Sequence, residues 1–338
     1  MSRVKIFLIL AIIAVLHAAV IYSCAYSGGK NRKTETDPEL AEAIFNYIFS
    51  RDGTEQSEGV SAAKKSAQWN YDRVLKLPPE LAKQSDNARS VIIVDLENRR
   101  VLYEKKSNEQ VAIASLTKLM TLLVLSDQMK SNESLAWNNT VTISQAAAGV
   151  ENARLQKTTY TVKDLVYSMM VGSFNDAATQ LAITSHGNIP AFVDAMNARA
   201  KAMGLKQAKF NSPSGLPQKG VNSFASTAEV LYLCEAVMKN PELKKICGTP
   251  RYVLSRGSKR SGGNSIGSDN QMINGRNVRG AFGFKTGFTN AAGRCVAFGV
   301  ERDGRIILCC ITGYPSHSKN ALFDFSVKLT DWAFKQDR

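Results

Sequence analysis

Apolar and polar residues keep different rhythms in successive stretches of this chain. Residues 6–22 form an unbroken run of low polarity interrupted only by His17, and 28–84 is polar and uneven, with a short helix expected over 38–50. At Ser90 the pattern changes: 90–95 and 101–104 are strand-like runs joined by Leu96-Glu97-Asn98-Arg99-Arg100, which predicts a hairpin. An apolar helical stretch opens at Ser115 and reaches about Met129. Thr161 with Asp164 has the spacing of a capping box for a helix ending near Gly172, and another helix follows from Asn175. Residues 190–203 predict a helix stopped by Gly204, and Ser226 with Glu229 starts one more that ends near Pro241. The remainder is β-rich, over 251–255, 281–286, 294–300 and 305–312, before an amphipathic helix over 318–334. Strands at both ends around a helical middle predict an α+β architecture. Its antiparallel sheet is assembled from distant segments, with helices packed on it and a helical subdomain inserted.

Length and charge narrow this picture. At 338 residues the chain holds one large domain or two modest ones, and Lys and Arg exceed Asp and Glu by 14. That excess favours anionic surroundings such as phospholipid headgroups or cell-wall polymers. Nucleic acid is not an expected partner, because the basic residues are scattered and no finger, helix-turn-helix or aromatic ribonucleoprotein pattern accompanies them. Arg3 and Lys5 ahead of the apolar run have the layout of an export signal, so the protein is expected to leave the cytoplasm. Three endings fit these residues: cleavage after Ala25, a lipoprotein box at Ile21-Tyr22-Ser23-Cys24, or retention as a membrane anchor. The expected division is a signal peptide or N-terminal anchor over 1–25, a linker or stalk over 26–84, and one functional domain over 85–338. The six cysteines show no framework spacing: Cys295, Cys309 and Cys310 sit in strand-like runs as small buried hydrophobes, and a bridge between Cys234 and Cys247 stays open. No metal set is expected without neighbouring histidines, and no cofactor is implied.

Three short elements then occur in one order: Ser115-Leu116-Thr117-Lys118, Ser173-Phe174-Asn175 and Lys285-Thr286-Gly287. Each alone is weak, since Ser-x-x-Lys also occurs at Ser2, Ser27, Ser61 and Ser316 and Ser-x-Asn at Ser85, Ser268 and Ser318. Together they spell a serine acyl-transfer site whose base is a lysine. The three-residue spacing stacks Ser115 and Lys118 on one helix face, and Lys118 must be neutral part of the time, which burial and the nearby Lys285 cation would favour. Ser173 and Asn175 suit proton relay to the leaving amine and a hold on the substrate amide. Lys285 and Thr286 suit a terminal carboxylate. Backbone N–H groups of Ser115 and of Phe288, after Gly287, would hold the oxyanion. Residues 280–284, leading into Lys285, predict an edge strand for an extended substrate. His186 and His317 lack Ser or Asp context, which excludes a Ser-His-Asp triad and leaves them as surface or helix-end residues.

These residues resemble the low-molecular-mass penicillin-binding proteins, specifically the serine D-alanyl-D-alanine carboxypeptidases. The likeness runs from Ser90 to Phe334, through Ile113 to Met120, Asn175-Asp176-Ala177-Ala178, Asn211 to Pro217 and Gly283 to Thr289. It implies a β-lactamase/transpeptidase-like fold, peptidoglycan stem peptides as substrate, an acyl-enzyme on Ser115 and covalent inhibition by β-lactams. Two departures stand out. Phe174 occupies a position usually small in the family, where it would narrow the cleft. No β-rich second domain or C-terminal amphipathic anchor is expected after the catalytic region, which leaves membrane attachment to the N-terminal segment. The implied reaction is release of the terminal D-Ala from a pentapeptide on the outer side of the cytoplasmic membrane. A D,D-endopeptidase acting on cross-links, a β-lactamase and a non-catalytic wall-binding module are the alternatives. A β-lactamase is disfavoured because Glu229, Glu235 and Glu242 lack a Glu-x-x-Leu-Asn context.

Overall fold

The computed structural model describes residues 68–257, 263–315 and 317–337. Helix α1 (Pro79–Ser85) leads into the hairpin of β1 (Ser90–Asp95) and β2 (Arg100–Lys105). After β3 (Val111–Ala112), a 3-10 turn (Ala114–Thr117) runs directly into α2 (Lys118–Gln128). The helical middle follows: β4 (Thr140–Thr142), α3 (Gln145–Ala148), β5 (Thr159–Thr161), α4 (Val162–Met170), α5 (Asn175–His186) and α6 (Ile189–Ala202). A short β6 (Phe224–Ala225) pairs with β3, and α7 (Thr227–Met238), α8 (Pro241–Cys247) and the ribbon β7 (Arg251–Val253) with β8 (Ser265–Gly267) come next. The chain closes with β9 (Ala281–Thr289), β10 (Gly293–Arg302), β11 (Arg305–Tyr314) and α9 (Lys319–Phe334).

The main sheet has the order β2-β1-β11-β10-β9, antiparallel throughout, so the first hairpin joins strands more than two hundred residues away, with Ser90 opposite Thr312. Alternation along β1 feeds two cores. Ile92 and Val94 enter the core shared with the helical middle, and Val91 and Ile93 enter the core beneath α1 and α9. The α+β layout read from the sequence is therefore the observed one, and β9 is an edge strand as expected. Helix α2 runs through the first core and is buried from Lys118 to Leu125 on every side, which is why its apolar pattern lacks a polar stripe.

Three sequence expectations need correction. The linker expected over 26–84 ends sooner, because Gln68 onward belongs to the same compact unit as the sheet. Trp69 is buried, stacks on Tyr232 with ring centroids 4.9 Å apart, and donates its indole N–H to the Ala228 carbonyl at 3.1 Å. Arg99 lies beside both rings, 4.5 Å from the Trp69 centroid and 6.0 Å from that of Tyr232. Leu75, Leu77 and Leu81 pack against the second core in the same segment, and such widely spaced anchors in a polar stretch leave no periodic pattern. The box expected from Thr161 and Asp164 is half formed: Thr161 accepts the Asp164 N–H at 3.0 Å, but the Asp164 carboxylate turns to the Tyr252 hydroxyl and to Ser255 beside the β7 ribbon. Ser226 and Glu229, by contrast, close a complete box at α7. Helix α8 was not foreseen, since Pro241 both ends the preceding segment and opens a new helix in its first turn. Cys234, Cys247, Cys295, Cys309 and Cys310 are all buried and unpaired, so the 234–247 bridge is not formed. The expected leader and the helix over 38–50 lie outside the described residues.

Candidate active site

Ser115 and Lys118 meet where the 3-10 turn becomes α2. Ala114, just before the nucleophile, takes a left-handed φ of 45°, which turns the chain so that the half-buried Ser115 faces a cleft while Leu116, Thr117 and Lys118 face the core. Lys118 is fully buried, with Nζ 3.0 Å from Ser115 Oγ, 2.8 Å from Asn175 Oδ1 and 2.6 Å from the Ser214 carbonyl. Two of these partners are pure acceptors. A neutral amine has two N–H groups and one lone pair, so Asn175 and Ser214 together fix both hydrogens and leave the lone pair facing the Ser115 hydroxyl. Burial holds the Lys118 proton affinity well below the usual lysine range, and the Lys285 cation lowers it further. Both causes match the expectation from the sequence.

Two further elements fix this arrangement. Thr121, one helical turn after Lys118, donates to the Pro213 carbonyl at 2.6 Å, so α2 grips the 213–214 backbone at two points. Gly215 then passes behind the nucleophile with φ 82°, and a Cβ on it would lie 2.0 Å from the Ala114 carbonyl oxygen. On the opposite wall, β9 presents Gly287 to the 3-10 turn: a Cβ there would sit 2.9 Å from the Ser115 nitrogen and 3.1 Å from the Ala114 Cβ. The glycine of Lys-Thr-Gly is thus the residue that lets the edge strand reach the nucleophile.

The cleft between these walls has a volume of about 760 Å³ and is lined by Ser115, Ser173 and Asn175 on one side and Thr286, Gly287 and Phe288 on the other. Seven of the eight residues expected from the sequence thus meet here or, like Lys118, directly beneath. Lys285 departs from expectation. Strand alternation sets it on the face opposite Thr286, 2 % exposed, with its ammonium donating to the Thr286 carbonyl at 3.0 Å. Burial pulls its pKa down to about 8. It acts on the cleft as a field from behind the strand and lines none of it.

Asn175 also departs: its Oδ1 is taken by Lys118 and its amide donates to the Glu151 carbonyl at 3.2 Å, so both ends of its side chain are engaged by the protein. Phe174, expected to narrow the cleft, is fully buried and does not line it. Ser173 has φ 58°, and this left-handed residue sends the serine toward the cleft and the phenylalanine into the body. Among the glutamates weighed for a β-lactamase, Glu229 closes the α7 box and Glu235 pairs with Arg99 at 2.7 Å; neither they nor Glu242 line the cleft. The sequence reading missed the Ser214 carbonyl, although the 211–217 string was visible, and missed Asp176, whose fully buried carboxylate accepts the Arg154 and Leu155 N–H groups at 2.6 Å each.

A serine and a buried lysine on an α+β scaffold, with the edge strand of its sheet as the facing wall, define a penicillin-binding-protein type of active-site serine hydrolase. The chain belongs to the D-alanyl-D-alanine carboxypeptidase family, whose model matches residues 79–313. It is 27 % identical over 265 residues to D-alanyl-D-alanine carboxypeptidase DacF of Bacillus subtilis, a match covering 77 % of this chain and 65 % of that one. It is 31 % identical over 230 residues to the D-alanyl-D-alanine endopeptidase of Escherichia coli, covering 64 % of this chain and 67 % of that protein. The chain thus spans about two thirds of the length of these relatives. Among solved structures it is similar to penicillin-binding protein D2 from Listeria monocytogenes in its cefotaxime-bound form, with TM-score 0.64 and 28 % identity over 74 % of this chain and 98 % of that one.

Proposed function

We propose that this chain is a serine D-alanyl-D-alanine carboxypeptidase that removes the terminal D-Ala from peptidoglycan stem pentapeptides. The observation that carries the proposal is the setting of Lys118, whose Nζ lies 2.8 Å from Asn175 Oδ1, 2.6 Å from the Ser214 carbonyl and 3.0 Å from Ser115 Oγ, so that a neutral amine donating to the first two acceptors turns its lone pair to the Ser115 hydroxyl. Lys118 takes the Ser115 proton as Oγ attacks the carbonyl between the two D-Ala residues. The oxyanion faces the N–H groups of Ser115 and Phe288, which Gly287 allows to lie on adjoining backbones. Ser173 relays that proton from Lys118 to the leaving D-Ala nitrogen as the amide bond breaks; water then attacks the ester, giving up one proton through Lys118 to Ser115 Oγ as the acyl group leaves as a carboxylic acid. Thr286 contacts the substrate from the strand side. The β-lactams imitate the scissile amide and should acylate Ser115; that a relative has been solved with cefotaxime bound supports this. Export and N-terminal membrane attachment complete the proposal, resting on the apolar run near the N-terminus. Among the described residues no helix is long and apolar enough to cross a membrane.

The test is D-Ala release from a disaccharide pentapeptide, with Ser115→Ala alongside. Release that vanishes in the variant supports the proposal, and absence of release from the wild type rejects it. A second reading, endopeptidase action on cross-links, is favoured by the cleft's extension past Phe288 to Asn290 and Arg294, which leaves room for another peptide chain. It is also favoured by the relative named as an endopeptidase. Dimeric muropeptides cleaved faster than pentapeptides would select it.

A further inference from the structure

Cations outnumber anions on the cleft wall, where Arg154, Arg294 and Lys319 stand against Glu151 and Asp269. Asp269 pairs with Lys319 at 3.3 Å, so its charge is answered within the protein. Glu151 is placed differently. It is exposed, and its Oε1 accepts from a neutral group, the Asn152 side-chain amide, at 3.3 Å. Among the described residues no cation pairs with its carboxylate. Its backbone is nevertheless fixed: the Glu151 carbonyl accepts the Asn175 amide at 3.2 Å, and Asn175 in turn takes Lys118 at 2.8 Å. Asn152, next along and also on the lining, has a left-handed φ of 57°, so the chain turns sharply just where the carboxylate is presented. These contacts set Glu151 on the wall that carries Asn175, two hydrogen bonds from the base. An ionised carboxylate only accepts, so a substrate that fills the cleft and displaces its water must offer it a donor. The carboxylates of a stem peptide are repelled there, and the group that matches is an ammonium.

Resting on the carboxypeptidase reading, we propose that Glu151 is a specificity-determining residue that binds the side-chain ammonium of the diamino acid preceding D-Ala-D-Ala in the stem peptide. That diamino acid adjoins the D-Ala whose carbonyl Ser115 attacks, and its long flexible side chain supplies the reach to the Glu151 wall. The amine is charged before cross-linking and a neutral amide afterwards, so the contact favours stems that have not yet been joined.

The test uses the full chain and two N-acetylated stem pentapeptides with L-lysine in third place, one with its side-chain amine free and one with that amine acetylated. Release of D-Ala is followed for KM and kcat, and equilibrium binding of both peptides is followed on Ser115→Ala with and without Glu151→Gln. Wild type should favour the free amine about 2- to 5-fold in kcat/KM, mostly through KM, the scale of a solvent-exposed ion pair. High salt should shrink that preference. Glu151→Gln should abolish it by slowing the free-amine peptide alone, Glu151→Asp should keep part of it, and Glu151→Lys should reverse it. A wild type indifferent to the amine would overturn the inference, as would a preference that survives Glu151→Gln. An equal loss on both peptides would overturn it too, since that marks a structural role through the Asn175 contact. If no D-Ala is released yet Ser115→Ala binds the free-amine peptide more tightly in a Glu151-dependent way, the functional reading fails and this inference stands. Release from both peptides at equal rates leaves the functional reading intact and removes this inference.

Discussion

Replacing Gly287 by alanine tests how closely the edge strand approaches the nucleophile. The added methyl would lie 2.9 Å from the Ser115 nitrogen, 3.1 Å from the Ala114 Cβ and 3.3 Å from the Ile113 carbonyl oxygen. Two of these are backbone atoms at the turn that carries Ser115, so no side-chain rotation relieves the contact. Comfortable separation of such atoms is about 3.5–4.0 Å, so β9 or the turn must retreat by about 0.5–1 Å. Overpacking of this kind costs about 1–3 kcal/mol, and a displacement near 1 Å at a reacting centre costs about 100-fold in rate. Gly287→Ala should therefore fold, melt a few degrees lower by calorimetry, and acylate with a fluorescent penicillin about 100-fold more slowly in a quenched time course. Wild-type acylation at an unchanged Tm would refute the packing argument. A variant that failed to fold at all would also count against it, since the strain is confined to one edge strand.

The pH dependence follows from the two buried lysines. Acylation needs neutral Lys118 and should fall as pH drops through its lowered pKa; Lys285→Ala removes a neighbouring cation, raises that pKa and should move the acid limb of the residual rate to higher pH, so no movement or the opposite one contradicts the electrostatic assignment. At the far side of the sheet, Asp95 and Arg305 form an ion pair at 2.7 Å with side chains 1 % and 5 % exposed. Asp95→Ala should cost about 3–5 kcal/mol in urea unfolding, because it leaves a buried guanidinium without its carboxylate. Trp69→Ala should cost about 3–5 kcal/mol by the same measurement, and a domain begun at Ser85 should lose as much relative to one begun at Gln68; equal stability would restore the longer linker.

Much of the site was legible because its chemistry is local or ordered along the chain. Ser115 and Lys118 share a helix face at fixed spacing, and Lys285-Thr286-Gly287 ends a strand whose composition marks it. The sheet was legible for the same reason, since β-branched runs such as 90–95 alternate between two cores. What escaped were backbone groups and single anchors. The Ser214 carbonyl completes the base, but a carbonyl leaves no mark in residue type, and Trp69 orders a segment that periodicity treats as polar. Phe174 was read from its size as a cleft residue; the left-handed turn at Ser173 decides its direction, and a non-glycine residue in that conformation has no signature in composition. Lys285 was placed on the cleft by its charge, whereas alternation about Thr286 puts it behind the strand.

Ser115 acylation, with Lys118 drawing off the hydroxyl proton, is the step on which the proposed chemistry depends. Incubating the full chain with benzylpenicillin and mapping the adduct by peptide mass spectrometry tests this most directly. Covalent mass is expected on the peptide that carries Ser115, none in Ser115→Ala, and formation at least about 100-fold slower in Lys118→Ala. An adduct on another residue, or one that forms at the wild-type rate without Lys118, would contradict it.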